Sequence, residues 1–231
     1  MASVGSDTCP QRITIINVKG GCGKTTVATN LASAYASLDM NTALLDFDPQ
    51  GSSMYWLKAR PLKLPKLHGI AAYRDKGPGV TRSFHLRLPH QTERVIIDTP
   101  AGLTGLALID QLRGTDTILI PVLPSSIDIH ATADFIRDLF LIAKVRPQRT
   151  RVCIICNRVK PNTLSFRALE RFLHALDIPV IAQLRETQNY VMSSEIGLGV
   201  HELDNKSNQQ DIDAWQKLIS WLEFGKPVAL Q

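Results

Sequence analysis

Three short segments of this 231-residue chain carry residues whose types and spacing suit phosphoryl-group chemistry. The first is Asn17-Val-Lys-Gly-Gly-Cys-Gly-Lys-Thr-Thr26. Glycine at 20, 21 and 23 lets the backbone curl tightly enough to turn its N–H groups inward around phosphate oxygens. The amides available for this belong to Gly20, Gly21, Cys22, Gly23, Lys24, Thr25 and Thr26. Lys24 would hold the β- and γ-phosphates of a nucleoside triphosphate, and the Thr25 hydroxyl would ligate Mg²⁺. The general phosphate-loop pattern requires glycine where this chain has Val18, so the loop is a variant of it. The second segment, Leu44-Leu-Asp-Phe-Asp-Pro-Gln-Gly51, places Asp46 and Asp48 after an aliphatic run. The third, Val95-Ile-Ile-Asp-Thr-Pro-Ala-Gly102, closes another such run on Asp98, which would hold Mg²⁺ through water. One aspartate ending a strand is often only a cap. Three such segments in this order are hard to explain that way.

Side chains this far apart in sequence meet only if a sheet gathers them. Aliphatic runs with strand length and flanks occur at Ile13–Val18, Thr42–Asp46, Arg94–Asp98, Thr117–Val122, Val152–Asn157 and Pro179–Ala182. Helical patterns lie between and after them, at Thr25–Leu38, Ile129–Val145, Leu164–Leu176, Thr187–Ile196 and Ile212–Phe224. Strands alternating with helices predict an α/β fold, a mostly parallel twisted sheet with helices on both faces, as in P-loop NTPases. Ligands of such sheets bind at the carboxyl ends of the strands. The helix that follows the glycine loop would aim its positive end at the same phosphates. The expected organisation is a short extension over 1–12, one domain over 13–225 and a tail over 226–231, leaving no room for a separate N-terminal DNA-reading domain. The stretch Lys58–Thr92 is less regular, broken by prolines 61, 65, 78 and 89 with Gly77 and Gly79.

Lys19-Gly-Gly-Cys-Gly-Lys-Thr25 resembles the deviant Walker A loop of the ParA/MinD family of ATPases. In that family the extra lysine, Lys19 here, reaches across a dimer to the partner's nucleotide, where a cation offsets charge developing in phosphoryl transfer. The resemblance makes Lys19, Lys24 and Asp48 the catalytic set, with Asp48 orienting the attacking water. It gives Asp98 and Thr25 to Mg²⁺, and Asp46 to Mg²⁺ or to the loop. Pro121-Val-Leu-Pro-Ser-Ser-Ile-Asp128 is similar to the strand and loop leading to the family's dimer-face helix. Asn157 and Arg158 fall where the family reads adenine, although an Asn that merely closes a turn would look the same. The segments Gln183–Tyr190 and Gly197–Leu203 resemble the C-terminal part of short partition ATPases, while Lys58–Thr92 matches poorly. The implied protein binds ATP and Mg²⁺ and forms a homodimer around the nucleotide. It holds duplex DNA without reading sequence, answers to a small ParB-like or cargo-adaptor protein, and works in the cytoplasm on the nucleoid.

Several alternatives weaken on the residues themselves. Nitrogenase iron proteins share the loop but need cysteines for an intersubunit cluster. Cys22 belongs to the loop here, and Cys153 and Cys156 lie three apart on a strand, facing opposite sides. The remaining cysteine, Cys9, adds no disulfide framework. Neither a leader-like N-terminus nor a bilayer-length apolar run is present. Membrane-bound MinD proteins end in a basic amphipathic helix, whereas the stripe Ile212, Trp215, Ile219, Leu222 here is flanked by Asp211, Asp213, Lys217 and Glu223, net negative. A net charge of +5 suits a polyanionic partner or an ordinary basic surface. The charge is locally dense: Arg137, Lys144, Arg146, Arg149, Arg151, Arg158, Lys160, Arg167 and Arg171 are opposed only by Asp138 and Glu170. Lys160, Arg167, Arg171 and Arg185 are the expected DNA contacts. The readings left beside DNA positioning are a membrane-associated positioning ATPase and a metabolic ligase on the same loop.

Overall fold

In a computed structural model, residues 9–73, 86–204 and 208–225 are described. Most of the N-terminal extension, the tail and the Gly77-Pro78-Gly79 part of the irregular stretch lie outside them. The described residues form seven strands: β1 (Gln11–Ile15), β2 (Thr42–Asp46), β3 (His68–Ala71), β4 (Arg94–Asp98), β5 (Thr117–Val122), β6 (Arg151–Val159) and β7 (Val180–Arg185). They pair in the order β3-β2-β4-β1-β5-β6-β7, and every pairing is parallel. The helices are α1 (Lys24–Ser37), α2 (Ser52–Ala59), α3 (Gly105–Gln111), α4 (Ser126–Leu141), α5 (Leu164–His174), α6 (Gln188–Glu195) and α7 (Gln209–Phe224), with a 3₁₀ turn at Val200–Glu202.

Both sheet faces are buried, which is why the central strands are nearly all aliphatic. On one face Ile13, Ile15, Leu44, Leu119 and Ile155 meet Val27 and Leu31 of α1, Trp56 of α2, and Trp215 and Leu218 of α7. On the other, Ile118, Ile120, Val122 and Ile154 meet Leu108 of α3, Phe135 and Leu139 of α4, and Phe166, Leu169 and Leu173 of α5. Cys153 packs on the first face and Cys156 on the second, so the pair cannot share a metal. Burial pushes both thiols well above the ordinary cysteine value. Among the described residues no helix is long and apolar enough to cross a membrane.

Three elements lack a sequence signal. β3 buries only Ile70 well, so this edge strand shows no alternation. α2 buries only Ser53 and Trp56, and α3 only Leu108, too few for a helical period to stand out. Boundaries move for local reasons. β1 stops at Ile15 rather than at residue 18, and Asn17 already turns into the loop, its amide donating to the Pro121 carbonyl (2.9 Å) and the Thr132 hydroxyl (3.3 Å). α4 starts a turn earlier than its apolar pattern, because the Ser125 hydroxyl accepts from the Asp128 N–H.

Candidate active site

The loop between β1 and α1 closes on its own carbonyls. The Lys24 ammonium, only 7% exposed as a residue, donates to the Lys19 carbonyl at 3.0 Å. The Cys22 thiol donates to the same oxygen at 3.2 Å. Burial raises the Cys22 pKa although Lys24 opposes it. Gly23 is required twice over. Its φ of 96° is left-handed, and a Cβ there would lie 2.0 Å from the Asn157 amide nitrogen. Gly20 and Gly21 are exposed along the loop's crest, Lys19 is half-buried, and Thr26 lies in the first turn of α1.

Asp98, at the carboxyl end of β4, is fully buried. Its Oδ2 accepts from Thr25 Oγ1 at 2.8 Å and from Ser53 Oγ at 2.7 Å. Its Oδ1 is buried and has no hydrogen-bond partner. Burial pushes its pKa up to about 7, against the two hydroxyls and Lys24, while nearby Asp46 adds to the rise. A carboxylate oxygen left unpartnered beside the Thr25 hydroxyl is what a hard divalent cation would satisfy. No group of three His, Cys, Asp or Glu side chains suited to a metal occurs among the described residues. Thr25 and Asp98 therefore fit Mg²⁺ held mainly by water and phosphate oxygens rather than by an all-protein cage.

Asp46, expected at the metal or the loop, makes two contacts with the loop backbone. Its oxygens accept the N–H of Asp48 at 3.0 Å and of Met54 at 3.2 Å. Asp48 is half-buried, and its Oδ1 accepts the Gln50 N–H at 3.0 Å, shaping the turn into α2. Next to Asp98, the Thr99 hydroxyl donates to the Ile15 carbonyl at 2.8 Å, and the Gly102 N–H to the Val18 carbonyl at 2.9 Å. The Asp98 segment is thus tied to both ends of the β1 turn.

Beside the loop lies a cavity of about 750 Å³ whose lining includes Thr26, Asn157, Arg158, Lys160, Arg185 and Tyr190. It has room for a base and sugar. Asn157 borders it with its amide already engaged, donating to the Cys22 carbonyl at 2.8 Å and accepting the Arg158 N–H at 2.9 Å.

The basic run does not gather on one face. Lys144, Arg146 and Arg149 precede β6 and sit at its amino end, whereas Arg158 and Lys160 sit at its carboxyl end beside the loop. The two ends of nine-residue β6 lie about 26 Å apart. Arg151 is turned inward, closing α7 through the carbonyls of Trp221 and Leu222. Arg137 faces Asp134 and Asp138. Arg185 is gripped by Asp211, which is 1% exposed, at 2.7 and 2.9 Å. Lys160 pairs with Glu186 at 2.9 Å, with both side chains exposed. Arg158, Arg167 and Arg171 are exposed.

Sequence reasoning missed Ser53, which shares Asp98 with Thr25; a serine two residues after a glycine carries no signal. It also missed the brace behind α2, where Arg60 and Glu202 pair at 2.6 Å with both side chains buried. There Trp56 donates to the Leu198 carbonyl at 3.1 Å. A Cβ on Gly197 would lie 2.3 Å from the Arg60 nitrogen.

Residues 13–199 match the family described as the CobQ/CobB/MinD/ParA nucleotide binding domain. The chain is 29% identical over 196 residues to the maintenance of carboxysome distribution protein A of Halothiobacillus neapolitanus, covering 83% of this chain and 87% of that protein. The structure of apo McdA from Cyanothece aligns with a TM-score of 0.70 at 17% identity, over 91% of this chain and all of that one. A plasmid partition protein of Borrelia burgdorferi bound to AMPPNP aligns with a TM-score of 0.70 at 17% identity, over 92% and 99%. At such identities the two structures show a shared fold.

Proposed function

This chain belongs to the CobQ/CobB/MinD/ParA nucleotide-binding family, and on that premise we propose that it is a ParA-type ATPase, an ATP-switched dimer that positions a large cargo on DNA. The observation that carries the reading is the clasp at the loop. Lys24 is folded onto the Lys19 carbonyl, and Thr25 and Ser53 share one oxygen of Asp98 while the other has no partner. Triphosphate gives Lys24 a stronger acceptor than a carbonyl, so the ammonium would exchange the Lys19 oxygen for phosphate oxygens. Magnesium, when bound through Thr25 and Asp98, would neutralise phosphate charge. Asp48 would orient the water that attacks the γ-phosphorus, and Lys19 would reach the nucleotide of a second copy.

The matrix in this reading is duplex DNA, touched without sequence preference at Lys160, Arg167 and Arg171. A small ParB-like or cargo-adaptor protein would speed an otherwise slow hydrolysis. Similarity to a carboxysome distribution protein over most of both chains makes a protein microcompartment the first cargo to test, before a plasmid or chromosome.

The experiment is size-exclusion chromatography and DNA retardation with ATP, ADP and no nucleotide, alongside liposome flotation. ATP should produce a dimer that retards DNA of any sequence. Asp48→Ala should hold that dimer without turnover, and Lys19→Ala should bind ATP yet fail to dimerise or hydrolyse. Flotation with ATP and no DNA shift would favour a membrane-associated positioning ATPase. Neither response would favour a metabolic ligase.

A further inference from the structure

At the end of β6 the sheet register breaks. Cys156 pairs with Gln183 and Val159 with Arg185, three steps along one strand against two along the other. The extra residue is a bulge, a device that re-aims a side chain next to a site. The bulge holds Arg158 at φ 51°, a left-handed conformation that a non-glycine residue adopts only when its surroundings impose it. Beside it Asn157, 4% exposed, lies against the phosphate loop.

The contacts there fix which way the amide points. A backbone N–H can only donate, so the atom 2.9 Å from the Arg158 nitrogen must be the amide oxygen. The NH₂ group is therefore the one that meets the Cys22 carbonyl at 2.8 Å. In a loop that turns its N–H groups inward to phosphate, the carbonyls face outward and still need donors. Lys24 and the Cys22 thiol serve the Lys19 carbonyl, and Asn157 serves that of Cys22. The fit is mutual, because at Gly23 any side chain would strike the same amide.

We infer that Asn157 is a positioning residue that braces the phosphate loop in its anion-holding shape, acting through the Cys22 carbonyl. The inference rests on the nucleotide-binding reading of this loop. Asn157 acts on phosphate through the Cys22 peptide, whatever its second N–H does in the cavity it borders.

Calorimetric titration of the full chain with Mg-ATP and with magnesium tripolyphosphate, which has no base, tests this. Two variants are compared: Asn157→Leu, which keeps much of the bulk without the donor and adds no charge, and Asn157→Ala, which removes the group. Circular dichroism and melting temperature identify the folded samples. Both variants should lose about ten- to a hundredfold in affinity for tripolyphosphate, and at least as much for ATP. Hydrogen exchange should quicken at the amides of 20–25 and not in the strands. Parental affinity for tripolyphosphate with weakened ATP binding would overturn the inference in favour of base reading alone. Unchanged binding of both would overturn it as well. If the parental chain itself bound neither ATP nor tripolyphosphate, the loop's assignment would fail first and the brace with it.

Discussion

The phosphate loop and the basic residues around β6 and α5 both carry cations, but they hold charge in opposite ways. At the loop, Lys24, Asp98 and Asn157 are buried and each is fixed by partners within 3.0 Å. On α5, Arg167 and Arg171 are exposed at the rim of a helix whose apolar side faces the core. A buried charge has one geometry and a strong field; an exposed one is screened and acts only in number. Single changes at the loop should therefore be decisive, and those on the surface incremental.

The largest effect tests the loop. Lys24→Ala removes the one buried cation there and should weaken ATP binding about a hundredfold or more, as read by calorimetry. An affinity within a few-fold of the parent would erase the contrast between the two regions.

Asp98 gives a graded test. Burial lifts its carboxyl from the ordinary 3.8 to about 7. Between those values the folded chain keeps a proton that the unfolded chain has released. Without Mg²⁺, stability should therefore fall as pH rises across that window and level off above about 7. Asp98→Asn should flatten this slope and raise the melting temperature by several degrees above neutrality. A parental pH dependence in the variant would show that another group carries it.

The smallest effects sharpen the comparison within the arginines. Arg185 looks like a surface cation in sequence, yet it neutralises buried Asp211. Arg185→Ala should cost about 1–3 kcal/mol of stability in thermal or urea unfolding. Arg167→Gln and Arg171→Gln should leave the melting point within about 1 °C and lower the salt slope of DNA binding by about one each. Should Arg185→Ala instead weaken DNA binding with stability intact, its grouping with the buried charges would be wrong.

Local chemistry made much of this molecule legible. The strand runs β2, β4 and β5 stand where their aliphatic residues predict, because a strand buried on both faces leaves no ambiguity of side. Thr25 and Asp98 could be grouped from sequence because each closes a strand-and-turn motif of fixed residue type, and the sheet brings them to 2.8 Å. The basic run could be counted but not placed. Charge is a property of composition, whereas its distribution depends on which end of a strand each residue occupies. Lys144 and Lys160 are near in sequence and lie at opposite ends of β6.

The sequence by itself determined the alternation of strand and helix, the parallel sheet and the phosphate loop with its two lysines, since each depends on contacts within a few residues or on a repeating apolar pattern. Only the tertiary structure decided the uses of particular polar groups. Asp46 went to the loop backbone, Ser53 to Asp98, Arg185 to Asp211 and Asn157 to the Cys22 carbonyl. Each of these hydrogen bonds pairs a side chain with a group two to more than a hundred residues away. Which pairs form is settled by strand order and register, because buried polar groups must find partners among whatever the fold brings within reach.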